Sequence, residues 1–455
     1  MTVGGAPAGR RVLGRVPRWW RWIALWTVVG LAIRVATVLG RPHRVPGGDS
    51  TFYHDVANLL VAGKGFIDPF VYQDSHKVVQ SAQFPPGFVF VLALASLVGL
   101  KSYFAQRIWC CVIGAAIVVV GGILGREVAG PRTGLITAFV IAVYPNLWMS
   151  DEVAFSECIS PLMAALVLLT AYRFWKRPGM RSAAWLGLTV GLAALVRDEL
   201  ALLGLFVVVP LTLLARMSWK RRATALLVGA ATAVLVVAPW VGYNLSRFQK
   251  PVFISSGLGV TLASTNCPQV YSGPAIGYWD AACVAAVPVN RNADESVRGS
   301  EYQAYAMRFI RSHENRLVPV VAARLGRAFG LFHPIQQIQL DATVETRPYH
   351  WALTGLGMYY ALALLSIGGL VVLRRRRVPV FPLLAVGLVV AVSVSLAFGD
   401  TRYRSTFEIS LAVLASVALE SAWARWRGRG PAAGAAVPEP GGLDAAQPVV
   451  GAPAG

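Results

Sequence analysis

Charge is scarce in this chain: only 14% of its 455 residues are Asp, Glu, Lys or Arg, while 56% are hydrophobic. That balance lies outside the range of soluble globular chains and calls for a bilayer as solvent. Acidic residues are scarcest, 22 against 42 basic ones, for a formal charge of +20. The excess does not point to nucleic acid, because the basic residues sit in short clusters beside apolar runs, without interleaved stacking aromatics. They read as topology anchors facing anionic lipid. The six histidines form no His-Glu-x-x-His motif and no cysteine pair has zinc spacing, so a tightly held structural metal is not expected. No phosphate loop, nucleophile elbow or dinucleotide fingerprint stands in a strand-to-helix context, which disfavours nucleotide-driven chemistry. A sequence repeat of solenoid or propeller period is lacking too.

What the chain does have is long apolar runs. About ten are long enough to cross a bilayer, several of them only with bundle neighbours: Trp22 to Gly40, Ala105 to Leu124, Thr133 to Met149, Phe155 to Trp175, Ser182 to Val196, Leu200 to Ala215, Ala223 to Val241, Trp351 to Leu373, Pro379 to Phe398 and Ser405 to Trp423. The first is longer than a signal-peptide core and is followed by no convincing cleavage site, so it is expected to remain as an anchor. Basic clusters at Arg10 to Arg21, Arg126 with Arg132, Arg173 to Arg181, Arg216 to Arg222, Arg374 to Arg377 and Arg425 to Arg429 all fall inside if both termini are cytoplasmic. The shorter run Gly87 to Leu100 would invert every later cluster if it crossed, so it is expected as an interfacial or re-entrant helix.

The expected fold is therefore an all-α integral membrane protein of the plasma membrane. Residues 1–21 form a cytoplasmic basic tail, 22–427 a multi-pass domain with outer loops at 41–104 and 244–350, and 428–455 a tail too poor in large apolar groups to order itself. Within the larger loop, the segment Glu301 to Phe332 carries Tyr302, Tyr305, Phe309 and Ile310 on a stripe opposite Arg308 and Arg311, a pattern that fits helices lying on the membrane surface. Of the five cysteines, Cys110, Cys111 and Cys158 lie in apolar runs as small hydrophobes. Cys267 and Cys283 fall in the outer loop, where disulfides persist, and are expected to pair.

Ionisable residues next to or within spans are the candidates for chemistry, because burying a charge in a membrane is costly. Asp49 begins a helix just outside the first span, and it or Ser50 is equally readable as an N-cap. Glu157 stands inside an apolar run after Asp151 and Glu152. Arg197, Asp198 and Glu199 interrupt another pair of runs, where a local ion pair is the plain alternative. Arg402 and Arg404 occupy a short outer turn that ordinarily avoids arginine, and an anionic group outside would explain them. Arg34 is expected to snorkel to the outer interface. Carboxylates and guanidiniums gathered at one face suit transfer of a group from a phosphate-linked lipid: a carboxylate takes the acceptor proton while guanidinium stabilises the departing phosphate.

These residues resemble a family, the GT-C fold glycosyltransferases of the protein O-mannosyltransferase and aminoarabinose-transferase type. The likeness runs through Gly48-Asp49-Ser50 with Tyr53, Gly63-x-Gly65-Phe66, Phe84-Pro85-Pro86, Tyr144-Pro145 leading to Ser156-Glu157, and Arg402-Tyr403-Arg404. Asn244-x-x-Arg247-Phe248 and Leu262 to Cys267 look like actinobacterial members. The resemblance implies a polyprenyl-phosphate sugar as donor, an acceptor glycan, lipid or protein, and inversion at the anomeric carbon. It implies Asp49 as the base, and Glu157 as the second acidic position that orients the acceptor or helps hold a divalent cation. Ser50, Tyr53 and His54 fall to the acceptor or pocket. Some relatives carry a basic residue before the Pro-Pro pair; Phe84 stands there in this chain, so Arg197, Arg402 and Arg404 become the candidates for the donor phosphate. A multi-span transporter or lipid flippase, or a scaffold for envelope assembly, is the alternative, and a flippase would spread its ionisable groups along a path through the membrane.

Overall fold

The computed structural model describes residues 17–45 and 47–428; most of the basic N-terminal tail, and the C-terminal tail read as unable to order itself, lie outside the described residues. Helix α1 (Arg18–Leu39) leads into the first long connection, which carries α2 (Asp49–Val61), α3 (Pro69–Ser75) and α4 (Pro86–Leu97). Then come α5 (Tyr103–Ala129), α6 (Pro131–Val143), the short α7 (Pro145–Trp148), α8 (Ser160–Lys176), α9 (Met180–Val196), α10 (Val209–Leu214) and α11 (Trp219–Leu245). The second long connection folds as α12 (Leu258–Thr265), α13 (Pro268–Tyr271), α14 (Ala281–Ala285), α15 (Glu295–Ser312), α16 (Glu314–Ala328) and α17 (Pro334–Val344). It feeds α18 (Tyr349–Arg375), α19 (Phe381–Leu396) and α20 (Ser405–Trp426).

Among the described residues six helical stretches are long and apolar enough to cross a membrane: Arg18–Leu39, Tyr103–Ala129, Ser156–Lys176, Trp219–Leu245, Tyr349–Arg375 and Thr401–Trp426. A seventh forms if Pro131–Val143 and Pro145–Glu152, bent by 67°, count as one span. The bend falls where Pro145 lacks the amide that would continue the helix. The run Leu200 to Ala215 is broken into a 3-10 turn, a π-helical stretch Gly204–Val208 and α10. α4, with 12 residues, is shorter than a crossing requires. Glu301 to Phe332 folds as parts of two helices: α15, which carries the stripe Tyr302 to Ile310, ends at Ser312, and α16 restarts after His313 with Pro319 inside it.

α20 runs through the centre of the bundle, with Ile409 to Val417 buried throughout against α18, α6 and α8. Its Ser and Ala positions admit neighbours closely, as small residues do in membrane bundles. By contrast Leu227, Val234 and Leu235 of α11 face outward, as lipid-facing side chains should.

Arg34 does not snorkel. It is fully buried, and its Nε donates to Asp151 Oδ2 at 2.8 Å while Nη1 donates to the Gly30 carbonyl at 3.1 Å. Arg34 lies less than two turns from the end of α1, yet its guanidinium is held inside the bundle by a desolvated carboxylate, as ionisable groups at membrane depth usually are. Gly114 makes the pairing possible, since a Cβ there would run into both Asp151 Oδ2 and the Arg34 side chain.

The helix ends separate into two poles. At one, the Trp19 indole donates to the Pro131 carbonyl, Arg126 lies over the Trp19 ring, Lys176 pairs with Glu127, and Arg376 pairs with Glu420. Asp49, Glu157, Arg197 and Arg402 meet at the other pole.

Candidate active site at the acidic pole

α2 starts at Gly48, whose φ of 55° and ψ of −129° suit a residue without a Cβ. No side chain caps the helix, so Asp49 is not spent on its own amides. Residues four apart share a helix face, and this divides the first turn of α2. Asp49 and Tyr53 face the site, whereas Ser50 and His54 turn away. The Ser50 hydroxyl closes a local turn with Gly47, and the His54 ring meets Gln106 Oε1 at 2.8 Å. Of the pocket residues read from sequence, Tyr53 is therefore brought in and Ser50 and His54 are not.

Arg402 organises the site. Its Nη1 donates to Asp49 Oδ2 at 2.9 Å, and its Nε lies 3.3 Å from Glu345 and 3.9 Å from Glu157. Phe155, Phe398 and Tyr403 line its faces at 5.5, 5.8 and 5.6 Å. Arg197 bridges Glu157 and Glu199 and lies 4.9 Å over the Tyr403 ring; the local ion pair and the link to Glu157 thus both form. Among the described residues, neither Arg197 nor Arg402 donates a hydrogen bond from Nη2, which leaves each a donor for an incoming anion. Glu157 is buried, its side chain 2% exposed, while that of Asp49 is 34% exposed. Tyr53 sits against Phe84 and Phe88 at 5.0 and 4.9 Å. Burial, with the charges of Asp49 and Glu157, pushes its phenol up from the ordinary value, so it stays protonated.

Arg404 is not part of this cluster. Its Nε donates to Glu408 at 2.7 Å and Nη1 to the Ala328 carbonyl at 2.8 Å, with the guanidinium 3.5 Å over Tyr359. Glu408 also accepts from the hydroxyl of Tyr144 and the amide of Asn146. The turn Thr401–Arg404 is 3-10, three residues per turn, so side chains two apart point in different directions.

A neighbouring group was not singled out by the sequence. Asp341 and Glu345, from the end of the second outer connection, meet Asp400, and all three are buried with carboxylate oxygens within 4.8 Å of one another. Arg347 lies 2.8 Å from Glu345 and 4.0 Å from Asp341. Burial raises the Asp341 carboxyl to about 6 and holds that of Glu345 well above its usual range; the charge of Asp400 adds to both shifts and Arg347 opposes them. The spacing Asp341-x-x-x-Glu345-x-Arg347 just before a span was the available signal. Cys267 and Cys283 form a disulfide, with Cα atoms 6.1 Å apart, that ties α13 to α14.

Guanidinium faces both acids of the centre: Arg402 at Asp49, and Arg197 with Arg402 at Glu157.

Residues 83–243 match the family model described as dolichyl-phosphate-mannose-protein mannosyltransferase. No curated protein matches the chain. Among solved structures, it is similar to the archaeal oligosaccharyltransferase AglB from Archaeoglobus fulgidus in complex with an inhibitory peptide and a dolichol-phosphate: TM-score 0.55, 17% identity, 90% of this chain and 51% of that one. The same archaeal enzyme in complex with Zn and sulfate gives a TM-score of 0.54 at 18% identity, over 90% of this chain and 50% of that one. ArnT from Cupriavidus metallidurans bound to undecaprenyl phosphate gives 0.43 at 14% identity, over 89% of this chain and 79% of that one. The chain thus spans about half the length of the archaeal enzyme, and at these identities the likeness is one of fold. The helical bundle and its likeness to the archaeal enzyme agree that this is a multi-pass membrane protein of the GT-C glycosyltransferase fold.

Proposed function

We propose that the chain is a polyprenyl-phosphate-sugar-dependent glycosyltransferase of the plasma membrane, moving a hexosyl or pentosyl group to an acceptor on the extracytoplasmic side. The observation that carries this reading is the half-open carboxylate of Asp49, held by Arg402 beside the buried Glu157, at the pole opposite the basic helix ends. That polarity supports cytoplasmic termini. The dolichol-phosphate in the archaeal oligosaccharyltransferase structure, the kind of lipid carrier that such a donor leaves behind, supports the donor class.

In the proposed reaction the acceptor hydroxyl attacks the anomeric carbon, its proton passes to Asp49, and the bond from that carbon to the phosphate oxygen breaks. Polyprenyl phosphate leaves with the electron pair, met by the free Nη2 donors of Arg402 and Arg197. A single displacement inverts the configuration and needs no covalent nucleophile. Glu157 acts through Arg197 and Arg402, fixing their guanidiniums.

The test is release of polyprenyl phosphate from a panel of labelled hexosyl and pentosyl donors by the purified chain in liposomes, with cell-envelope extract as acceptor. Acceptor-dependent release from one donor is expected, with the label in the product; no release from any donor would reject the reading.

A further inference from the structure

We propose that Asp341, Glu345 and Asp400 bind one hard divalent cation beside, and distinct from, the Asp49 centre. Three acids from separate stretches of the chain converge with carboxylate oxygens within 4.8 Å, and such oxygens are the ligands that Mg²⁺, Mn²⁺ and Ca²⁺ prefer.

Independent of the acids, the hydroxyl of Tyr278 points to a ligand. The residue is 4% exposed, its hydroxyl has no hydrogen-bond partner among the described residues, and it stands close enough to feel the charges of Asp400, Glu345 and Asp341. A buried hydroxyl normally finds a partner; a cation, or a water on it, would supply one. Asp400 repeats the pattern. Its Oδ1 accepts from the Arg402 amide at 2.9 Å, while its buried Oδ2 has no hydrogen-bond partner.

The charge balance points the same way. The connected network holds six carboxylates, Asp49, Glu157, Glu199, Asp341, Glu345 and Asp400, against the guanidiniums of Arg197, Arg347 and Arg402. With every carboxylate ionised three negative charges are left over, and uncompensated buried charge is costly; without a cation, that cost is met by the raised carboxyls of Asp341 and Glu345. A divalent cation removes two of those charges. A small cavity lined in part by Asp341, Arg347 and Thr401, about 20 Å³ and so large enough for a water, adjoins the group. Because Glu345 and Asp400 also face Arg402, the cation would position that guanidinium without touching the reacting atoms.

The experiment is titration of Mn²⁺ into the purified full-length chain in detergent, without donor, read by loss of the free-ion electron paramagnetic resonance signal. The result is independent of whether the chain transfers sugar. One saturable equivalent is expected, lost in Asp341→Asn and Asp400→Asn, weakened about 10-fold in Tyr278→Phe, and kept in Glu420→Gln at the other pole. Monodispersity on size exclusion checks the fold, and Tyr278→Phe decides the matter if the carboxylate variants do not fold. Absence of saturable binding would overturn the proposal, the acids then being neutralised by protons. Binding that survives both carboxylate changes, or that Tyr278→Phe leaves unaltered, would overturn it too.

Discussion

A carboxylate that is to take a proton must be reachable, and one that is to hold a guanidinium is better buried; Asp49 and Glu157 divide along that line. Arg402 joins them, with Asp49 on one nitrogen and Glu345 and Glu157 nearest another. Lysine offers one point charge on a flexible stem and cannot reproduce a planar fork. Arg402→Lys is expected to lower transfer about 10- to 100-fold, the worth of one or two charge-assisted hydrogen bonds, with weaker donor binding and a melting temperature near that of the wild type. Unchanged donor affinity, measured by competition with polyprenyl phosphate, would remove Arg402 from the donor site. Asp49, Glu157, Arg197 and Arg402 were legible in the sequence because charge beside or inside an apolar run carries a visible cost. Asp341 and Glu345 were not, since in a polar loop an acid looks solvated until folding buries it. The roles of Ser50, His54 and Arg404 turned on side-chain direction, which depends on where the helix starts and on a 3-10 turn that charge pattern does not reveal.

Among elements, α1 is tied to the turn after α7 by the Arg34–Asp151 pair, with Gly114 of α5 as the opening through which they meet. Removing one partner strands a buried charge at a cost of about 3–5 kcal/mol, whereas replacing both with apolar groups of similar size is often neutral. Arg34→Met and Asp151→Leu should each lower thermal stability in detergent, and the double variant should recover most of the loss. Simple additivity of the two losses would show that the side chains do not act as a pair. The apolar runs marked the helices, but of the ten read as crossing, six are long and apolar enough as single helices among the described residues, and a seventh only as a bent pair. Breaks were harder to see: Pro145 bends one run, and the stretch around Gly204 and Pro210 departs from α-helix, both effects of single residues inside uniformly apolar sequence.

Over the whole molecule, the bundle sorts its charges by pole, with arginine- and tryptophan-rich helix ends at one and the acid-rich cluster at the other. The separation into poles follows from antiparallel helices joined by short connections. The second long connection closes over the acidic pole: α16 lies against α19, and the Gly399 amide donates to the Gly277 carbonyl at 2.8 Å. The turn carrying Asp400 and Arg402 is thereby held down over the site. The most direct measurement is the rate of polyprenyl phosphate release by Asp49→Asn against wild type in a single turnover at saturating donor. The amide keeps the shape of the carboxylate and loses its proton affinity, so the rate should fall about 10²- to 10⁴-fold while the donor still binds. Release at the wild-type rate would contradict the assignment of Asp49 as the base, and with it the central claim.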